Sequence, residues 1–258
     1  MPLDTDFHSH VSRSSAQAMA QMAKTRGLRV LGLSEHIFQM DDAREPLAHI
    51  PLEGPLLSLS RYQEEVHRAA QEAQIDVRQG LEVDFIPEKH ERILAPLPGY
   101  DWDFLIGSVH QVDGVLFESK EKFTREEGQH FWQRYFILLR EAVKSKAFSL
   151  VSHPVRMRAT NPHVPATIDD ELEQLAAEAT RQDVALEING FDLLTYPTLV
   201  RRLARACALH NTPISVGSDA HNPAQIARAH VQSEALLRES GIRTVRIWKQ
   251  RSPQEYAF

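Results

Sequence analysis

A single cysteine, Cys207, in a chain of 258 residues excludes an internal disulfide framework. Its place in the helical-looking run 199–209 makes it a small buried apolar residue. Excess positive charge is also missing. Lys and Arg number 29 against 35 Asp and Glu, a formal net charge of -6, so no broad basic face is expected and no nucleic-acid partner with it. There is no apolar stretch long enough to span a bilayer, and Met1 leads into Leu3-Asp4-Thr5-Asp6-Phe7-His8 without a basic leader. The expectation is a cytoplasmic protein with no membrane partner. Internal repeats, low-complexity runs and long Gly/Ser linkers are absent too, which argues against a string of modules. No heptad seam stands out, so the oligomeric state is not legible.

What the chain does have is 42% hydrophobic residues, enough for a large core in one α/β barrel or two smaller domains, and residues 1–258 are read as one. Short apolar runs alternate with helical patterns. Strands are expected at 3–8, 30–34, 77–83, 104–109, 148–152, 184–188 and 214–217, with a weaker eighth at 244–248. A helix is expected from Ser15 to Arg26, ending before Gly27, and Thr167 with Asp170 reads as a capping box for another. Strand and helix taking turns favours parallel strands with crossover helices, hence an α/β distorted barrel of TIM-like (β/α)7 type, with a doubly wound open sheet as the competing fold.

The polar residues fall where such a barrel uses them. His8 and His10 close the first apolar run, His36 follows the second, Glu82 lies in the third, and His110, His153, Asn189, and Asp219 with His221 follow the remaining four. Side chains alternate along a strand, so His8 and His10 project to one side and can share an ion, and Asp219-Ala220-His221 repeats the spacing. Each pair alone is a weak signal; their placement after seven successive apolar runs is a strong one. Carboxylates such as Glu82 and Asp219 can bridge two cations, which neutral imidazoles cannot. His67, His130, His210 and His230 fall in helical patterns and His49, His90 and His163 in polar or Pro-containing segments, so all seven are read as structural or solvated.

Taken together, Asp6-Phe7-His8-Ser9-His10, Ser34-Glu35-His36, Gly80-Leu81-Glu82-Val83-Asp84-Phe85-Ile86-Pro87, Ile106-Gly107-Ser108-Val109-His110, Ser152-His153-Pro154, Glu187-Ile188-Asn189 and Gly217-Ser218-Asp219-Ala220-His221 resemble the polymerase and histidinol phosphatase (PHP) superfamily. The third and fourth of these stretches look most like its monofunctional histidinol-phosphate phosphatase branch. The resemblance implies a distorted seven-stranded barrel with its metal site at the C-terminal ends of the strands. It also implies a first ion on His8, His10, Glu82 and Asp219, a second on Glu82, His110 and His153, and a third facing His36 and His221. The third ion usually gains another histidine just after the first pair, where this chain reads Ser12-Arg13-Ser14-Ser15-Ala16. Two or three divalent ions, manganese, zinc or iron, are therefore expected.

The chemistry expected of that set is hydrolysis of a small-molecule phosphate ester, foremost L-histidinol phosphate, by a hydroxide bridging two cations. Asp219 would orient the hydroxide, and His36 or His221 would pass a proton to the leaving oxygen. Arg156, Arg158 and Arg44 are the candidate phosphate donors, with Asn189 beside them. Relatives often place an arginine shortly after the Asn of the sixth strand, whereas this chain has Asp192, which suits a cationic group better than a phosphate. A phosphoesterase for nucleotides or other small phosphates is the alternative, and a non-catalytic metal-binding module a third reading.

Overall fold

A computed structural model describes residues 2–117 and 122–258. Seven parallel strands follow one another around a single sheet in chain order. They are β1 (Thr5–Asp6), β2 (Val30–His36), β3 (Asp76–Asp84), β4 (Phe104–Ser108), β5 (Leu150–Val151), β6 (Ala185–Asn189) and β7 (Ile214–Gly217). The last strand returns to the first through Phe7 N to Val216 O at 2.9 Å, and beyond the strands through Asp219 N to His8 O and His10 N to Ala220 O, each 2.8 Å. This irregular seam closes the barrel and makes it the distorted α/β barrel expected, with the open-sheet alternative excluded.

The helices between strands are α1 (Ala16–Thr25), α2 (Leu59–Ala73), the short α3 (His90–Leu94), α4 (Arg125–Lys144), α5 (Ile168–Gln182), the pair α6 (Gly190–Thr195) and α7 (Pro197–His210), and α8 (His230–Glu239) after β7. Their buried faces meet the outward strand residues Leu31, Leu33, Leu81, Val83, Leu186 and Ile188 in one large core. Cys207 is fully buried in α7, as its pattern implies. The capping box expected at Thr167 does not form: Thr167 precedes α5 but makes no side-chain cap bond. Its backbone has left the extended conformation that aims a cap hydroxyl at the helix start (φ -84, ψ 12). The reciprocal box instead opens α4, where the Thr124 hydroxyl accepts from Glu127 N and Glu127 accepts from Thr124 N at 2.8 Å.

Inside the barrel, alternation sorts each strand from apolar at its start to polar at its end. Val30, Phe104, Ile106, Leu150 and Ala185 pack with Phe7 in a separate inner core. Further along the same inward rows come Ser34 and His36, Glu82 and Asp84, Ser108, and Glu187 and Asn189, all buried. The row on β3 begins at Gly80, where a Cβ would lie 2.3 Å from the Phe104 ring, so only glycine admits that aromatic plug. The eighth run expected at 244–248 is a strand, β8 (Thr244–Lys249), but not a barrel strand. It pairs antiparallel with β9 (Ser252–Ala257), and Trp248 seals the N-terminal end of the barrel against Phe7, 5.8 Å between ring centroids. Of the tail 256–258, Phe258 is buried in this chain's own core and Tyr256 packs beside it.

Candidate metal centre

With the N-terminal end plugged by aromatics, the polar ends converge at the opposite mouth, and Glu82 stands at their centre. Its Oε2 lies 2.8 Å from His36 Nδ1, 3.3 Å from His8 Nε2 and 3.6 Å from His10 Nε2. Its Oε1 lies 3.1 Å from His153 Nε2 and 3.3 Å from His110 Nε2. Asp219 completes the ring, with Oδ1 at 3.4 Å from His10 Nε2, 3.6 Å from His221 Nδ1 and 3.9 Å from His8 Nε2. All eight residues expected to hold metal are thus brought together. Among the described residues, three triads have donor atoms within 4.8 Å of one another: His8, His10 and Glu82; His36, Glu82 and His110; His10, His36 and His221. His153 and Asp219 carry left-handed backbone, φ 29 and φ 54, so their placement depends on turns beyond the strand ends and not on strand alternation.

Three carboxylates that sequence reading left without a role fix the rings. Glu187 accepts from His8 Nδ1 at 2.7 Å and from His153 N at 2.8 Å. Asp84 sits 2.9 Å from His110 Nδ1. Glu35 Oε1 lies 3.6 Å from His10 Nδ1, while its Oε2 accepts from Val11 N and Ser12 N, both at 2.6 Å. Such partners orient an imidazole and raise its basicity toward a cation on the other nitrogen. A further carboxylate, Glu53 from the loop after β2, lies 3.3 Å from His221 Nε2 with that oxygen unpartnered. The first three stand beside or two residues from a motif residue on the same strand, a signal the sequence did contain.

Buried polar atoms are normally hydrogen-bonded. Here His8 Nε2, both nitrogens of His10, His36 Nδ1, Glu82 Oε2 and Glu53 Oε2 are buried without hydrogen-bond partners. They face one another, and a set of lone-pair donors aimed at common points is what a divalent cation satisfies. The residues present fit divalent metal ions. Electrostatics agrees. Burial alone would depress His8 and His10, yet the surrounding carboxylates lift His8 well above the usual imidazole range and His10 to about 9. His110, likewise buried, rises to about 10 beside Glu82 and Asp84. Burial pushes Glu82 and Asp219 up, yet both stay well below the carboxylate range because their neighbours together outweigh it, His8, His36 and His110 for Glu82 and Arg156 with His8, His10 and His221 for Asp219. Protons on these histidines stand where cations would. Metal binding is therefore expected to release protons and to strengthen with pH, about tenfold per pH unit for each proton displaced. Calorimetric metal titrations between about pH 6 and pH 8 in buffers of differing ionisation enthalpy check this; an affinity independent of pH would contradict it.

The centre forms the floor of a pocket of about 280 Å³ whose upper walls are Phe38, Ile50, Leu116, Phe117 and Phe191. Arg156 also lines it. Its guanidinium bonds Asp192 and Asp219, each at 2.6 Å, and Asn189 Oδ1 at 3.1 Å. Arg44 and Arg158 do not line the pocket, whereas Asn189 stands beside the centre with Nδ2 3.4 Å from Asp219 Oδ2. Arg44 donates to the carbonyls of Phe38, Ala48 and Ile50, because the 3-10 turns after β2 leave those oxygens without helical partners. Arg158 lies over the Tyr196 ring, 5.6 Å from its centroid. Asn189 is buried and caps α6 through Asp192 N at 3.1 Å. Asp192 is buried and paired with Arg156 at 2.6 Å. Of the seven histidines read as structural, His230 donates from Nε2 to Thr5 O and His163 from Nε2 to Phe123 O, both away from the centre.

A parallel barrel gathering histidines and carboxylates at the C-terminal ends of its strands defines the class of metal-dependent barrel hydrolases. Within it, the chain belongs to the PHP domain family, whose model matches residues 4–190. A protein of Deinococcus radiodurans named as a probable histidinol-phosphatase is 28% identical over 261 residues, 93% of this chain and 95% of that one. The crystal structure of histidinol phosphate phosphatase from Lactococcus lactis, complexed with zinc, L-histidinol and phosphate, superposes with a TM-score of 0.77 at 20% identity, covering 97% of this chain and 98% of that one. A chain of the cryo-EM structure of archaeal ribonuclease P with mature tRNA shares the fold at TM-score 0.54 and 16% identity, over 92% and 87% of the two chains.

Proposed function

We propose that this protein is a metal-dependent phosphomonoesterase that hydrolyses L-histidinol phosphate to L-histidinol and phosphate, within one barrel domain and in a cytoplasmic setting. The observation that carries the reading is the set of buried, unpartnered nitrogen and carboxylate donors at the base of an apolar-walled pocket. End-to-end similarity to proteins named for this activity supports the substrate. Divalent ions on His8, His10, Glu82 and Asp219, on Glu82, His110 and His153, and on His36 with His221 would supply Lewis acidity and neutralise phosphate charge. Manganese, zinc and iron all suit such imidazole and carboxylate ligands.

The chain's own groups do the rest. Arg156 is the arginine assigned to the phosphate. It reaches the pocket while two carboxylates fix its plane, which presents a planar fork without loss of orientation. His153, buried and beside Arg156, is pushed down to about 4, so its ring is neutral and free to coordinate at physiological pH. His221 is pushed down to about 3 by burial and by His10. Its Nδ1 lies 3.6 Å from Asp219 and its Nε2 3.3 Å from Glu53, so we assign His221 as a ligand and not as the donor to the leaving oxygen. His36, with Nδ1 2.8 Å from Glu82, is assigned as a ligand on that contact. The aromatic and aliphatic walls would receive the imidazole ring of the substrate and keep water from its face.

Rates of phosphate release from L-histidinol phosphate, compared with nucleotide and sugar phosphates, test the substrate. The reading requires kcat/KM for histidinol phosphate to lead the panel by about 100-fold or more, the discrimination a site built around one polar ring can reach. Equal turnover across the panel would leave a general small-phosphate phosphoesterase.

A further inference from the structure

Glu53 stands outside every motif that marks the metal centre, yet its carboxylate is aimed into it. Oε2 is buried and without a hydrogen-bond partner, and it lies 3.3 Å from His221 Nε2. Oε1 lies 4.0 Å from His36 Nε2. His36 and His221 belong with His10 to one of the three donor triads. With His10 assigned to the first ion, His36, His221 and Glu53 supply two imidazoles and one carboxylate to a further ion, the three protein ligands of an open metal site.

The loop that presents Glu53 is held in place. Gln39 Oε1 accepts from Glu53 N at 2.7 Å, and Leu57 N donates back to Gln39 O at 3.0 Å, so both ends are tied to the turn that follows β2. Gly54 lies so close to the loop after His10 that a Cβ would stand 2.4 Å from Ser12 O. That contact sets the carboxylate against the segment 12–16, which offers no imidazole or carboxylate of its own. Arg13 of the same segment reaches back to Glu53 Oε1, at 3.3 Å from Nη2. One carboxylate oxygen is thus oriented by a cation and the other left open, the usual disposition of an oriented carboxylate ligand.

We infer that Glu53 is a ligand of a further divalent ion, bound with His36 and His221, and that Arg13 positions it. The inference rests on the proposed metal dependence but not on the identity of the substrate. A full third position follows from it, supplied by the loop after β2 in place of the segment after the first histidine pair.

The test counts metal without substrate. Wild-type protein, Glu53→Gln and Arg13→Ala are stripped, titrated calorimetrically with manganese, and then analysed for bound metal by mass spectrometry. Wild type is expected to take up one more ion than Glu53→Gln, with the remaining binding events unchanged. Arg13→Ala is expected to weaken that same ion by about 10-fold or more, the usual consequence of losing a ligand's orienting partner. Thermal unfolding of the metal-free forms shows whether each variant folds, and anomalous scattering at the manganese edge gives an independent count. Equal stoichiometry and affinities in wild type and Glu53→Gln would overturn the inference. So would unchanged metal content with a raised KM for histidinol phosphate, which would mean that Glu53 pairs with the substrate's amine. Loss of an ion in a protein that does not cleave histidinol phosphate would sink the substrate reading and leave this one standing.

Discussion

Glu82→Gln is expected to lower kcat for phosphate release by more than about 100-fold, beyond the 10–100-fold that the loss of an outer partner of a metal ligand costs. The substitution keeps the side chain's shape and removes its charge. Both oxygens of Glu82 face imidazoles, His36, His8 and His10 on one side and His153 and His110 on the other. A bridging carboxylate serves two cations at once, so one amide disables two positions together. The same charge lifts His110, after burial has lowered it, so the His110 ring should titrate nearer its ordinary value in the variant. Metal content and kcat of the purified variant, with NMR titration of the histidine rings, check both parts. Full metal occupancy with activity within about 10-fold of wild type would show that Glu82 is not a ligand.

Arg156→Ala is the second large effect, and it acts on folding as well as on activity. Arg156 holds Asp192 and Asp219, carboxylates that are 1% and 5% exposed. Removing one partner of a buried pair leaves an uncompensated charge and costs about 3–5 kcal/mol. The deficit should depend on pH in a definite direction. Burial already raises Asp192 to about 6, against the attraction of Arg156. Without the guanidinium its pKa rises further, so the folded state binds a proton more tightly than the unfolded chain does. Stability of the metal-free variant then falls as pH rises through that window, and the deficit is larger at neutral than at acidic pH. Arg156→Lys is expected to restore little, since an ammonium cannot span two carboxylates and an amide oxygen in one plane. Denaturant unfolding of the metal-free variants at several pH values measures the first point, and KM for the phosphate ester the second.

The fold was legible where hydrophobic alternation runs through whole strands. The run 214–217 matches β7 to the residue, and the donors after each run meet at one mouth because parallel strands end on one side of a barrel. The eighth run misled because an antiparallel hairpin and a barrel strand share the same alternation; what separates them is Trp248 facing the aromatic plug, a tertiary fact. Arg44 and Arg158 could not be told from Arg156 by spacing, since all three follow a histidine at a strand end. Backbone carbonyls claimed the first and a tyrosine ring the second. Glu53 carried no periodic signal at all. Its position depends on Gln39 and on the close approach of Gly54 to Ser12, contacts between segments distant from any motif.

The outer carboxylates show the converse. Glu35 is adjacent to His36, and Asp84 follows Glu82 on the same face of β3, so strand geometry would have found them. Their effect is concrete. Glu35 is held down to about 2, burial notwithstanding, by His10 and His36, and it fixes the two backbone amides after His10. The first histidine pair is therefore oriented before any cation arrives, His10 by Glu35 on β2 and His8 by Glu187 on β6.

The account stands most directly on one assay, phosphate release from L-histidinol phosphate by chelator-stripped protein before and after manganese is returned. It predicts no turnover without metal, recovery that saturates with bound manganese, and no recovery in Glu82→Gln. Undiminished turnover by the stripped protein, or equal recovery in the variant, would contradict the claim that the donors around Glu82 are the catalytic centre.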